Sequence, residues 1–185
     1  VMGQVKTDAK SNEITAIPAL LKLLDIKGCL VSIDAMGCQK EVAKTIVAQK
    51  GDYLLAVKGN QESLLNAVRQ ALAKQIEDSG KEGAVSERGH GRYEIRVYHV
   101  VPATNLAKEF PEWCGLKSIG VAIGLRLEKS TQKPSLEFRY YISSAELDKT
   151  RFGEAVRGHW GIENSLHWVL DVTMKEDNCP IYRGD

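Results

Sequence analysis

Leu30-Val31-Ser32-Ile33-Asp34-Ala35-Met36-Gly37 decides how this chain folds. Three of its first four residues are apolar and two of those are β-branched, which reads as a buried strand rather than a helix start. Asp is poor inside a strand, so Asp34 is expected at the strand's carboxyl end, where the chain leaves the sheet. In open α/β sheets ligands and catalytic groups gather at that edge. The competing reading makes Asp34 a cap for the next helix or turn.

Working outward, residues 39–50 form an amphipathic helix, with Val42, Ala43, Ile46 and Val47 on its apolar face and Gly51 as its stop. Residues 53–57 read as a second buried strand. Lys58-Gly59-Asn60-Gln61 comes next, on the same sheet edge as Asp34 if the strands are parallel. Asn60 can cap a helix running to about residue 76, in which Leu64, Val68, Leu72 and Ile76 recur every four residues. On the other side, residues 14–24 read as a helix with Asn12 as N-cap. Ile17, Leu20, Leu21 and Leu24 face inward, and Pro18 falls near its first turn. Residues 1–6 alternate weakly, as a strand. Strand, helix, strand, helix, strand is an α/β layout with parallel crossovers.

The pattern changes after residue 77. Residues 78–91 are polar and Gly-rich. Residues 93–101, 116–127 and 136–143 alternate as strands, with a turn at 131–135. From Asp148 helical spacing returns through Phe152, Val156, His159, Glu163, Leu166 and Leu170, with glycines that could kink it near 158–161. This divides the chain into a core portion over 1–77, a β-rich segment over 78–147 expected to lie outside the main sheet, and a returning helix with its tail over 148–185.

Composition narrows the class without naming a function. The 185 residues are 43% hydrophobic and 26% charged, as in an ordinary globular domain with a full core, or one domain carrying an insertion. A net charge of +1 neither demands nor excludes a nucleic-acid partner. No apolar run is long enough to span a bilayer and no signal peptide is evident, so no membrane partner is expected. The four cysteines lack C-x-x-C spacing and read as free thiols of a reducing cytoplasm. A start in mid-strand at Val1 reads as an excised piece.

Several side chains could carry chemistry. His159, Glu163 and His167 share one helix face at a spacing of four. They do not match the H-E-x-x-H zinc pattern, and the polar edge of an amphipathic helix is the favoured reading. Arg88, His90, Arg92 and Arg96 cluster around Gly89 and Gly91, as a phosphate grip or a solvated face. Trp113, Trp160 and Trp168 read as packing residues.

Four longer motifs go further. The stretch from Gly3 to Pro18 (GQVKTDAKSNEITAIP), Ile33 to Lys40 (IDAMGCQK), Tyr53 to Gln61 (YLLAVKGNQ) and Gly158 to Val172 (GHWGIENSLHWVLDV) resemble, in matching order, the H-repeat-associated group of bacterial insertion-sequence transposases. The resemblance covers essentially the whole chain. It implies a ribonuclease-H-like fold, a mixed sheet flanked by helices and interrupted by a β-rich insertion. It also implies a DNA transposase of the Asp-Asp-Glu type, in which three carboxylates hold two divalent ions, Mg²⁺ or Mn²⁺. Asp34 matches the second Asp and Glu163 the Glu, as catalytic and metal-binding residues. The implied partner is double-stranded DNA, both transposon ends and target, in the cytoplasm on the nucleoid. Candidate DNA contacts are Lys58, Asn60, Gln61, Arg88, Arg92, Arg157, His159 and Lys175.

The chain departs from that pattern in places. The first Asp belongs upstream of Val1, and Asp8 in its polar loop is no substitute. The related Y-x2-R-x3-E-x6-K signature would put Tyr at Val156, Arg at His159 and Lys at Leu170. Whether His159 or Arg157 takes the Arg role, and Lys175 the Lys role, stays open. The expectation is therefore an incomplete metal site, no cleavage by this chain alone, and a tendency to self-associate as a homo-oligomer. The alternatives are an inactive remnant that binds DNA or a partner, and an unrelated nuclease or phosphatase on the same sheet.

Overall fold

A computed structural model describes residues 13–79, 84–89, 92–128 and 134–162. The elements are α1 (Glu13–Lys22), β1 (Leu30–Ile33), α2 (Lys40–Ala48), β2 (Asp52–Val57), a 3-10 turn (Gly59–Gln61) and α3 (Glu62–Ser79). They continue with β3 (Ala84–Gly89), β4 (Arg92–Pro102), α4 (Thr104–Glu109), β5 (Ser118–Glu128), β6 (Pro134–Ser143) and α5 (Lys149–Ile162). The described strands form one mixed sheet in the order β1-β2-β6-β5-β4-β3. β1 and β2 are parallel, as a strand–helix–strand crossover requires, and every other pair is antiparallel. This is a mixed α/β sheet flanked by helices, consistent with a ribonuclease-H-like fold.

The β-rich segment does not stand outside that sheet. β6 pairs with β2, Leu54 opposite Ser143 and Val57 opposite Tyr140, so β3 to β6 extend the sheet as a meander. A polar network fastens the junction. Ser143 Oγ donates to the Tyr53 carbonyl at 2.6 Å and Ser144 Oγ to Asp52 Oδ1 at 2.7 Å, while Tyr53 N donates to Ser144 Oγ at 3.0 Å.

Local endings differ from the sequence reading in physical detail. Lys50, not Gly51, takes the left-handed conformation after α2, with φ +62°. Lys50 N then reaches the Val47 carbonyl and Gly51 N the Ile46 carbonyl, the paired bonds of a Schellman end. Gly51 is needed for another reason: a Cβ there would lie 2.8 Å from the Ile26 carbonyl oxygen. Pro18 sits well inside α1 rather than in its first turn. Asn60 lies within the 3-10 turn instead of capping α3. α5 runs through Gly153 and Gly158, opened by Asp148, whose Oδ1 accepts from Arg151 N at 2.8 Å.

The two faces of the sheet are covered unequally. The larger core joins Leu21 of α1, Val42 and Ile46 of α2, and Leu64, Val68 and Leu72 of α3 to Leu55, Ile119, Val121 and Ile142 of the strands. On the opposite face a smaller cluster of Leu54, Tyr98, Ala122 and Tyr141 receives Phe152 and Val156 of α5. Trp113 is 2% exposed, a core residue as its sequence context suggested.

Candidate active-site cleft

β1 ends at Ile33 and the chain turns at once. Asp34 Oδ1 accepts from Met36 N at 3.2 Å and from Gly37 N at 3.3 Å. One carboxylate oxygen thus caps the turn, as the competing reading held, while Asp34 stays exposed and lines a cleft of about 210 Å³. The cleft's other walls are Lys58 after β2, Glu137 and Arg139 of β6, and His159 and Trp160 of α5. Gly37 fits the turn because a Cβ there would collide with the Ile33 side chain.

Long-range contacts of two α5 residues, His159 and Trp160, bring the helix to this edge. His159 Nδ1 lies 3.1 Å from Ser32 Oγ. Ser32 and Asp34 are two positions apart, the period of one strand face. The guanidinium of Arg139 lies 4.0 Å from the centre of the Trp160 ring and that of Arg96 5.3 Å from it. Arg139 also grips Glu137 through Nε at 2.7 Å and Nη2 at 3.1 Å. That bond, with the charges of Arg126 and Lys58, holds the Glu137 carboxyl below its ordinary range. Glu94 takes Arg96 at 3.1 Å and Arg126 at 3.8 Å.

The candidate residues fall into five groups. Asp34, Lys58 and His159 meet at the cleft. Asn60 and Gln61 turn to the Asp34 loop instead, donating to the Ala35 carbonyl at 2.6 Å and the Cys38 carbonyl at 3.0 Å. Arg157 is exposed on α5. Arg88 and Arg92 belong to the β3–β4 hairpin, Arg92 about 13 Å along β4 from Arg96 at the usual rise per strand residue. Glu163, His167 and Lys175 lie outside the described residues, as do Trp168, Asp8 and His90. Arg96, read from sequence as part of a basic cluster, is bonded to Glu94. The Ser32–His159 contact had one faint sequence signal, a hydroxyl in an otherwise apolar strand.

A hard divalent cation takes oxygen ligands. Asp34 fits as one of them, since Oδ1 serves the turn and, among the described residues, Oδ2 has no such duty. The nearby Cys38 thiol is pushed up to about 12 by burial and, secondarily, by the Asp34 charge. Among the described residues no three His, Cys, Asp or Glu side chains cluster as a metal site.

A parallel strand pair ending at an exposed carboxylate, with a helix docked across it, is an α/β arrangement consistent with a ribonuclease-H-like domain. The chain belongs to the family described as the transposase DDE domain, whose model matches residues 1–185. It is 49% identical over its whole length to "Putative protein YbfL" and 48% to "H repeat-associated putative transposase YhhI", both of Escherichia coli (strain K12). It is 50% identical to "Putative transposase YncI" of Escherichia coli O157:H7. The chain spans about half the length of these relatives, 50%, 50% and 48% respectively. No solved structure matches it. No helix among the described residues is long and apolar enough to cross a membrane.

Proposed function

We propose that this chain is part of the catalytic core of a DNA transposase that cleaves DNA strands and transfers them in a metal-dependent reaction. The observation that carries the reading is the Asp34 carboxylate at the carboxyl end of β1, lining a cleft closed by α5. Asp34 is a ligand to Mg²⁺ or Mn²⁺. Glu163, four positions after His159 in sequence, is the partner carboxylate. When bound, such ions would activate the attacking water or 3′-hydroxyl and stabilise the leaving oxygen.

The chain's own residues hold and orient DNA. Lys58, beside Asp34, and Arg157 supply phosphate contacts, joined by Arg88 and Arg92 from the hairpin and by Lys175. These contacts are electrostatic, so binding falls steeply with salt. The β-rich segment over 78–147 is then an extension of the catalytic sheet along the DNA rather than a detached module. Self-association as a homo-oligomer belongs to the same reading.

Mn²⁺ binding to this chain tests it. Asp34→Asn and Glu163→Gln are each expected to weaken Mn²⁺ at least ~10-fold. In a protein of the relatives' full length, each should abolish cleavage of DNA bearing the element's ends. Undiminished Mn²⁺ binding by Asp34→Asn overturns the assignment. Metal binding without any cleavage in the longer protein identifies an inactive remnant.

A further inference from the structure

The loop after β1 makes more hydrogen bonds than a turn of its length requires. Asp34 Oδ1 accepts two backbone N–H groups, Cys38 N donates to the Ala35 carbonyl at 3.3 Å, and Gln39 N donates to the Gly37 carbonyl at 2.8 Å. Gln39 Nε2 adds a bond to the Met36 carbonyl at 3.2 Å. These hold the loop from within. Two more bonds come from outside it, and both originate in one three-residue turn.

That turn lies just past β2, the parallel neighbour of β1. Parallel neighbours lie about 4.8 Å apart, so the loops at their carboxyl ends are within side-chain reach of each other. Gln61 N donates to the Lys58 carbonyl at 3.0 Å and closes the turn. From it Asn60 Nδ2 reaches the Ala35 carbonyl and Gln61 Nε2 the Cys38 carbonyl. Ala35 O therefore accepts two donors, Cys38 N and Asn60 Nδ2, and both of its lone pairs are engaged. The two anchored carbonyls bracket Met36 and Gly37, the residues whose N–H groups grip Asp34.

We propose that Asn60 and Gln61 are positioning residues that fix the Asp34 loop from the neighbouring strand, and so set the orientation of the Asp34 carboxylate, rather than DNA contacts. The role of Asp34 as a metal ligand is taken from the function proposed above. Partners that orient a metal ligand typically change affinity about 10–100-fold when lost. The two carbonyls need a donor, and each amide supplies one. Asp at position 60 keeps the shape and removes the donor. Simple electrostatics predicts that an added carboxylate near Asp34 strengthens cation binding, whereas loss of the anchor predicts the reverse.

The test measures two things on this chain: backbone amide exchange over residues 34–39, and Mn²⁺ affinity by electron paramagnetic resonance. Asn60→Asp is expected to speed exchange at Met36 and Gly37 about tenfold and to weaken Mn²⁺ about tenfold, with affinity for a DNA duplex changed less than about twofold. Gln61→Glu should do the same, and supplies the result if Asn60→Asp folds poorly. Unchanged exchange, or unchanged or raised Mn²⁺ affinity, overturns the proposal. So does a loss of DNA affinity alone, which would make these amides contacts. Asp34→Asn separates the two readings: if it leaves Mn²⁺ binding intact the metal site fails, while the exchange data still decide whether Asn60 and Gln61 hold the loop.

Discussion

The two faces of the sheet are built on different principles. One face lies under α1, α2 and α3 and is continuous apolar packing from Leu21 to Ile142. Among the described residues, the other lies under α5 alone. Near the helix it is aromatic, where Phe152 meets Tyr98 and Tyr141 edge to face, with ring centres 6.1 and 5.6 Å apart. Farther along, the same face turns ionic, through Glu94, Arg96, Arg126, Glu137 and Arg139. The cleft opens on this second face. Among the described residues, apolar packing is thus concentrated on one side, and the polar groups of the candidate site occupy the side under α5.

If that division holds, α5 depends on very few side chains. Phe152 is 1% exposed and is the largest fully buried side chain of α5 among the described residues. Phe152→Ala is expected to cost about 3–5 kcal/mol of unfolding free energy in urea titration. A cost below about 1 kcal/mol would mean that something other than this cluster holds α5 to the sheet.

A second test overfills the same spot. A Cβ on Gly120 would lie 2.6 Å from Phe152 Cζ and 3.0 Å from the His99 carbonyl oxygen. Gly120→Ala should cost about 1–3 kcal/mol, as overpacking does. Combined with Phe152→Leu, part of that loss should be recovered, because the two changes share one space. Strict additivity in the double mutant would show that the ring is not what excludes the Cβ.

The faces also differ in how far they could be read from sequence. The covered face was legible because its helices carry their signal locally: Val42, Ala43 and Ile46 repeat at helical spacing and are all buried. The location of Asp34 was legible because an apolar strand stops at it. What pairs with what over long separations was not. Hairpin spacing shows that residues 116–127 and 136–143 are strands, yet says nothing of the β2–β6 pairing that brings Tyr140 to Val57. β3 was missed because Ser86-Glu87-Arg88 has no apolar alternation and is held by its pairing with β4. α4 was missed because six residues carry too little periodicity. Asn60 looked like a helix cap, since residue type alone does not reveal that its amide reaches Ala35.

A smaller effect probes the dock itself. Ser32→Ala and His159→Ala each remove one partner of the 3.1 Å contact. Each should cost about 0.5–1.5 kcal/mol, a typical net hydrogen bond. The double variant should be little worse than the worse single, giving a coupling energy of similar size. Independent costs would place the two side chains in separate roles and remove this polar tie between β1 and α5.

The smallest expected effect concerns pH, and it belongs to the covered face. His99 on β4 stands opposite Val121, so both side chains leave the sheet on the same side, and His99 is 4% exposed. Burial lowers its pKa below 6.5, and the nearby Lys149 charge adds to the shift. The unfolded chain therefore binds a proton at a pH where the folded chain does not. Where that holds, stability rises with pH. The His99 contribution is fully present above about pH 6.5 and is lost as pH falls through the lower folded value. Glu137, also lowered, acts in the same direction but in a more acid window, below about 4.5. Urea titrations of the wild type at about pH 5, 6, 7 and 8 should show stability falling from the neutral to the acid end, with one shifted proton limiting the slope to about 1.4 kcal/mol per pH unit. His99→Gln should flatten that limb while leaving the decline below about pH 4.5 in place. An unchanged slope in His99→Gln would show that this histidine binds its proton as readily in the core as in the unfolded chain. The covered face would then be less dry than its packing implies.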